Sequence, residues 1–175
     1  MSQLFCLGDL QFSSDNLLRS EDGNGKVFKG TFKGESVAVK KLSLNCPDIS
    51  QDEQQWENLT KLQNEHLVKY HQCMVQDNFR YLVMELCQGS MLDYCNKTLD
   101  KDVASRIKAT DIMWKIIFAI DYLDGQKINH GNLKLENVLF WKRDSKSRRV
   151  LVKLTAYGYS SVVYVRYSIY ICIHL

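Results

Sequence analysis

Three short stretches of the chain carry residues whose types and spacing can do chemistry. The first is Val37-Ala38-Val39-Lys40. In a strand, alternate side chains share a face, so Ala38 and Lys40 point one way and Val37 and Val39 the other. A small residue beside a lysine leaves room for a flat ring above and brings a cation within reach of a phosphate. Taken alone, the same pattern also describes a solvated lysine on an ordinary strand. The second stretch, H-G-N-L-K-L-E-N-V-L-F at 130–140, places His130, Asn132, Lys134 and Asn137 in one loop ahead of a strand. The third, V-K-L-T-A-Y-G-Y-S at 152–160, is a strand running into a glycine turn.

The surrounding elements must position these groups. Residues 27–32 and 36–40 read as strands flanking Lys33-Gly34-Glu35, a hairpin signal. Residues 50–63 read as a helix, with Gln55, Leu59 and Leu62 on one face at i, i+4 and i+7. Strands are predicted at 67–73 and 79–86. Gly89-Ser90 opens a short helix through Tyr94. One long helix is predicted over 103–124, where Ile112, Met113, Ile116, Ile117, Ile120 and Leu123 repeat with helical period and Gly125 sits at the C-terminal cap. A loop at 128–137, a strand at 138–141, a basic turn at 142–149 and a strand at 150–154 follow. The order is strand-rich first and helix-rich second. The last fifteen residues, SVVYVRYSIYICIHL, are β-branched and aromatic with a single charge at Arg166. They read as a terminal strand or a loosely ordered tail, of a composition prone to aggregate.

Composition sets the class. The 175 residues are 45% hydrophobic and 25% charged, enough to bury the core of one globular domain. One proline and nine glycines argue against a disordered or fibrous chain. Lys+Arg 23 against Asp+Glu 20 leaves a net charge of +3, so bulk electrostatics makes no case for nucleic acid or membrane partners. The six cysteines form no C-x-x-C pair and read as reduced thiols, which places the protein in the cytoplasm. The start, MSQLFCLGDL, lacks basic residues and makes a poor signal peptide. No apolar run reaches the ~18–20 residues that span a bilayer. Lys142, Arg143, Lys146, Arg148 and Arg149 read as a solvated turn. His66, His71, His130 and His174 lack metal-ligand spacing. Trp56, Trp114 and Trp141 read as packing anchors.

The three stretches, in this order, resemble the eukaryotic protein kinase family, whose signatures are V-A-I-K, H-R-D-L-K-x-x-N and D-F-G. The resemblance covers residues 17–160, and Lys134 looks like the serine/threonine branch. The hairpin, the phrase YLVMELC and the long turn at 142–149 look most like the inositol-requiring stress-sensor kinases, a group that includes the oligoadenylate-dependent ribonuclease. The fold implied is α+β with two lobes: an N-lobe antiparallel sheet with one helix over 1–87, the first part of a mainly helical C-lobe over 88–160, and an atypical tail over 161–175. A family domain runs to roughly 250–300 residues, above the usual domain size. The chain is therefore expected to be truncated before the activation segment, with the apolar face of the 103–124 helix left exposed.

The departures carry the functional expectation. In the family's G-x-G-x-x-G-x-V loop, only Gly25 before Val27 matches; Ser20 and Asp22 stand where glycines let backbone N–H groups approach phosphates. Lys40 is present, and the helix register makes Gln55 its partner, a neutral amide where the family has glutamate; Glu53 or Glu57 could substitute if the helix rotates. Asn132 replaces the aspartate that orients and deprotonates the substrate hydroxyl, and an amide is no general base at neutral pH. Lys134 and Asn137 are kept. Ala156-Tyr157-Gly158 replaces D-F-G, so Asn137 remains as a lone, weak metal ligand. The adenine pocket looks better preserved, with Val27 and Ala38 above, Leu139 below, Met84 behind, and hinge backbone from Glu85 to Cys87. Ordinary core packing accounts for the same residues. His130, Tyr157 and Leu59 match an apolar stack of structural role.

The resemblance thus implies a kinase-like domain with ATP as its ligand, magnesium poorly supported, and little or no phosphotransfer. The rival readings are a divergent active serine/threonine kinase, and a non-catalytic interaction module, pairing with a kinase-like dimer partner or full-length relative, or an inert fragment.

Overall fold

In a computed structural model, residues 2–21, 25–46 and 52–157 are described. They fall into two compact units. The first comprises the described residues of Met1–Gln63 and Lys69–Leu86; the second, those of Asn64–Val68 and Cys87–Leu175.

The first unit is a six-stranded antiparallel sheet with one helix. Its strands are β1 (Leu4–Leu7), β2 (Leu10–Glu21), β3 (Gly25–Phe32), β4 (Glu35–Ser43), β5 (Tyr70–Gln76) and β6 (Phe79–Glu85), in the order β1-β2-β3-β4-β6-β5. Helix α1 (Glu53–Lys61) is capped by Asp52, whose carboxylate accepts from the Gln54 N–H at 2.9 Å. The β3–β4 hairpin closes through Lys33 and Gly34, at φ 51° and 83°. Positive φ at both positions matches the twist of the flanking strands, and glycine lowers its cost. One face of the sheet buries Leu10, Phe12, Phe28, Val37, Val39, Tyr81 and Val83. The other face carries Ala38, Lys40, Leu42, Leu82 and Met84, all buried. From α1, Trp56 and Leu59 are buried and Gln55 is half-buried.

The second unit has a three-stranded sheet, order β7-β8-β9, from β7 (Gly89–Ser90), β8 (Val138–Trp141) and β9 (Leu151–Leu154). Ser90 caps α2 (Met91–Cys95) with a capping box: its hydroxyl accepts from the Asp93 N–H, and the Asp93 carboxylate accepts from the Ser90 N–H at 2.7 Å. The single helix expected over 103–124 is in fact two, α3 (Lys101–Ala104) and α4 (Ala109–Gly125). Asp100 starts α3 by accepting from the Val103 N–H, and the N–H groups of Arg106 and Ile107 then close onto carbonyls three residues back. That tightening, with the Ser105 hydroxyl on the Asp102 carbonyl, ends the helical ladder. Apolar periodicity runs straight through the break, which is why the pattern hides it.

The end of α4 also differs from expectation. Gly125 is its last helical residue, and a Cβ there would meet nothing within 4 Å. The left-handed residue is Lys127 at φ 59°, where the Ile128 N–H reaches the Leu123 carbonyl at 2.9 Å. Helix α4 buries Ile112, Ile116, Ala119 and Leu123, while Met113, Trp114, Ile117 and Phe118 form an exposed stripe. Trp114 is thus no packing anchor. Trp56 is one, being 1% exposed. Strands β1, β2 and β7 were not anticipated from the sequence. No helix among the described residues is long and apolar enough to cross a membrane.

Candidate functional site

In the first unit, strand register brings the lysine stretch together with its neighbours. Val27 lies opposite Lys40 and Lys29 opposite Ala38; across the next ladder, Ala38 faces Met84 and Lys40 faces Leu82. Directly opposed residues project to the same side of an antiparallel sheet. Val27, Ala38, Lys40 and Met84 therefore share one face. Lys40 is 4% exposed, which rules out the solvated-lysine alternative.

Gly25 opens β3 at φ 97°, and a Cβ there would lie 2.2 Å from the Lys41 carbonyl oxygen. Its glycine is required by this close backbone approach. Ser20 lies in β2, paired with Lys26. Asp22 lies outside the described residues. At the end of β6, the Glu85 N–H donates to the Lys69 carbonyl at 3.0 Å, so this N–H is committed and cannot read a base edge. The Glu85 carboxylate accepts from the Lys69 N–H at 2.8 Å. Cys87, assigned to the second unit, is half-buried.

On α1, Gln55 falls on the side of Trp56 and Leu59. Glu53 is already engaged: it takes both terminal nitrogens of Arg80, at 2.6 and 2.9 Å. Glu57 is exposed and accepts from the Gln54 amide at 3.4 Å.

In the second unit, the loop 130–137 is tied together by hydrogen bonds centred on Asn137, which is 1% exposed. Its Nδ2 donates to the Asn132 carbonyl at 2.7 Å, its N–H donates to the Lys134 carbonyl at 2.9 Å, and its own carbonyl accepts from the Thr155 N–H at 3.0 Å. Because Nδ2 must face the Asn132 acceptor, Oδ1 is turned the other way. Asn137 thus has a structural reason to be present, whether or not a metal is bound. The Asn132 N–H donates to His130 Nδ1 at 3.3 Å, which fixes the neutral ring with its proton on Nε2. Burial pushes the His130 imidazole down to about 4, with the Thr155 backbone pulling weakly the other way. Lys134 is half-buried in extended backbone, and Leu139 lies on β8 opposite Lys153.

The turn after β9 completes this region. Tyr157 is buried, packs 6.5 Å from the His130 ring, and donates its hydroxyl to the Val68 carbonyl at 2.7 Å. Ala156 precedes it at φ 62°, a left-handed conformation that alanine rarely adopts. Its methyl is buried and offers no oxygen. The residues present do not fit magnesium: one neutral amide oxygen, that of Asn137, stands where carboxylates are needed. Among the described residues there is also no group of three or more His, Cys, Asp or Glu side chains that could hold a metal ion. Gly158, Cys172 and the tail lie outside the described residues.

Two features of this chemistry have no signature in the sequence. One is the Arg80–Glu53 pair. The other is Lys153, a buried lysine whose Nζ donates to the Leu67 carbonyl at 3.1 Å and lies 5.2 Å from the Trp141 ring centroid. Both join residues far apart in the chain, and neither follows a local motif.

A lysine strand, an amide-tied loop and a turn with a left-handed residue, on this α+β scaffold, define the protein-kinase class. The protein kinase domain family matches residues 21–170, and the chain belongs to that family. It is 29% identical over 160 residues to the serine/threonine-protein kinase/endoribonuclease ireA of Aspergillus fumigatus, covering 87% of this chain and 14% of that protein. It is 31% identical to the serine/threonine-protein kinase/endoribonuclease ire-1 of Caenorhabditis elegans, over 74% of this chain and 13% of that protein. It is also 31% identical to CDPK-related kinase 7 of Arabidopsis thaliana, over 78% of this chain and 26% of that protein. The chain therefore spans a quarter or less of the length of most of these relatives.

Proposed function

We propose that this chain is a pseudokinase: a kinase-type domain that takes ATP or ADP and transfers phosphate poorly or not at all. The observation that carries this reading is Ala156. Its backbone holds the left-handed turn, yet its side chain supplies no metal ligand. Asn132 removes the second carboxylate. Losing positioned acid–base help costs ~10²–10⁴ in rate, and a misplaced metal removes several kcal/mol more, as an order of magnitude. The two losses serve one transition state and need not add. A family turnover of ~1–100 s⁻¹ still falls by decades.

Nucleotide binding is supported by the shared face of Val27, Ala38, Lys40 and Met84 in the first unit. In a thermal-shift titration, ATP should raise the melting temperature equally with magnesium or with EDTA, and Lys40→Ala should abolish the rise. Radiolabelled ATP should give no transfer with magnesium or manganese. Transfer that Lys40→Ala removes would overturn the reading in favour of a divergent active serine/threonine kinase. The specific observation behind that rival is the retained bond between Asn137 and the Asn132 carbonyl, with Lys134 in the same loop. No shift at millimolar ATP would favour a pure interaction module.

A further inference from the structure

We propose that Glu53 and Arg80 form a latch that positions α1 against the sheet, so that the helix bearing Gln55 is fixed by an ion pair outside the lysine stretch. Arg80 projects from β6 on the same face as Lys40: Leu42 opposes Arg80 just as Lys40 opposes Leu82. Its side chain is fully buried, while Glu53 remains 66% exposed, so the carboxylate caps a buried cation from the solvent side. The contact is bidentate, at 2.6 and 2.9 Å, and a fork-to-fork pair fixes direction as well as distance.

Two further groups hold the guanidinium. Cys73 Sγ on β5 accepts from Nη1 at 3.4 Å, and the Trp56 ring of α1 lies 4.7 Å from the guanidinium carbon. Arg80 therefore touches α1 twice, through Glu53 and Trp56, at adjacent turns. Burial opposes its charge, but the bonds to Glu53 and Cys73 outweigh that, and the same bond holds the Glu53 carboxyl below its ordinary range. Its Nε has no partner, so the cation depends on Glu53 for its counter-charge. Gln55, the residue just before Trp56, carries no charge of its own. The acid-to-cation link between helix and sheet is thus made at Glu53, not at Gln55, the residue expected from the sequence to partner Lys40. This inference is independent of whether the chain transfers phosphate.

The test is residue-resolved amide exchange on the intact chain. In Glu53→Gln, a buried cation loses its counter-ion, and α1 must loosen to let water reach it. Exchange across 54–61 should accelerate by about tenfold or more, while strand amides at 37–39 and 82–84 change by less than about twofold. Arg80→Met keeps an apolar filler and leaves no uncompensated charge, so its acceleration should be smaller than that of Glu53→Gln. Unchanged exchange in α1 of Glu53→Gln would overturn the latch. Equal acceleration in helix and strands would also overturn it, because the pair would then be only a general stabiliser. Should Glu53→Gln fail to fold, Arg80→Met decides: helix-confined acceleration supports the latch, and uniform or absent acceleration refutes it.

Discussion

On the sheet of the first unit, Val27, Ala38 and Lys40 keep the side chains that the kinase signature asks for, with Met84 opposite Ala38 on the same face. In the loop and turn of the second unit, the backbone bonds survive and the carboxylates do not. The difference follows from what each residue does besides chemistry. Ala38, Met84 and even Lys40 are core residues of a sheet, so replacing them would cost packing as well as binding. Asn137, His130 and Tyr157 likewise hold the loop through hydrogen bonds and ring contact. Positions 132 and 156 contribute to this scaffold through their backbones: the Asn132 carbonyl and N–H, and the left-handed φ of Ala156. Their side chains, an amide at 132 and a buried methyl at 156, supply no carboxylate, and these are the places where the chemistry is missing.

The largest effect expected is on rate. If the scaffold is intact and only oxygen atoms are absent, Asn132→Asp with Ala156→Asp should raise ATP-dependent phosphotransfer by at least ~10² over the unaltered chain, and either change alone should do far less. A radiolabelled-ATP assay with magnesium decides. A double variant as silent as its parent would mean that the first unit is also impaired, which breaks the contrast.

A smaller effect concerns pH. His130 titrates near 4 when folded and about 6.5 when unfolded. A base whose folded pKa is depressed takes up its proton preferentially in the unfolded state. Stability is therefore undiminished above the unfolded value and falls as pH drops from about 6.5 towards 4. The shift corresponds to at most about 3 kcal/mol. His66, also in the second unit, shifts the same way through burial. His71 in the first unit does too. Urea unfolding followed by NMR at pH 7.5 and 5 should show residues 138–141 losing more stability than residues 37–39. His130→Phe should flatten that difference, and an unaltered pH slope in this variant would rule His130 out as its source.

The smallest effect is backbone strain. Ala156 at φ 62° pays a steric cost that glycine avoids, so Ala156→Gly should stabilise the second unit by about 0.5–1 kcal/mol. Chemical denaturation measures it. A destabilised variant would show that the buried methyl of Ala156 contributes more than its conformation costs.

The β3–β4 hairpin, β6 and the β8 strand were legible because alternation and turn residues encode them locally. The candidate site was legible as motif spacing at Lys40, Asn132, Asn137 and Ala156. Other features were not. Strand β2 reads Ser13-Ser14-Asp15-Asn16 in its middle and carries register shifts, so no period shows. The break between α3 and α4 is made by capping and a tightened turn under a continuous apolar pattern. The Arg80–Glu53 latch joins a strand to a helix 27 residues earlier, and an arginine within an apolar run gives no hint of its partner.

Strand β1 deserves a practical reading. It is short, yet it pairs along β2 from Leu4 opposite Ser13 to Leu7 opposite Leu10, and Phe5 stacks on Phe12 with centroids 4.8 Å apart. Without it, the open margin of the sheet would pass from a strand of 4 residues to one of 12, and that longer strand already shows Leu17 and Leu18 to solvent. Unpaired peptide groups beside apolar side chains recruit other chains. Trimming the first nine residues to obtain a tidier fragment would therefore strip the sheet of its solubility guard and favour filaments over monomers.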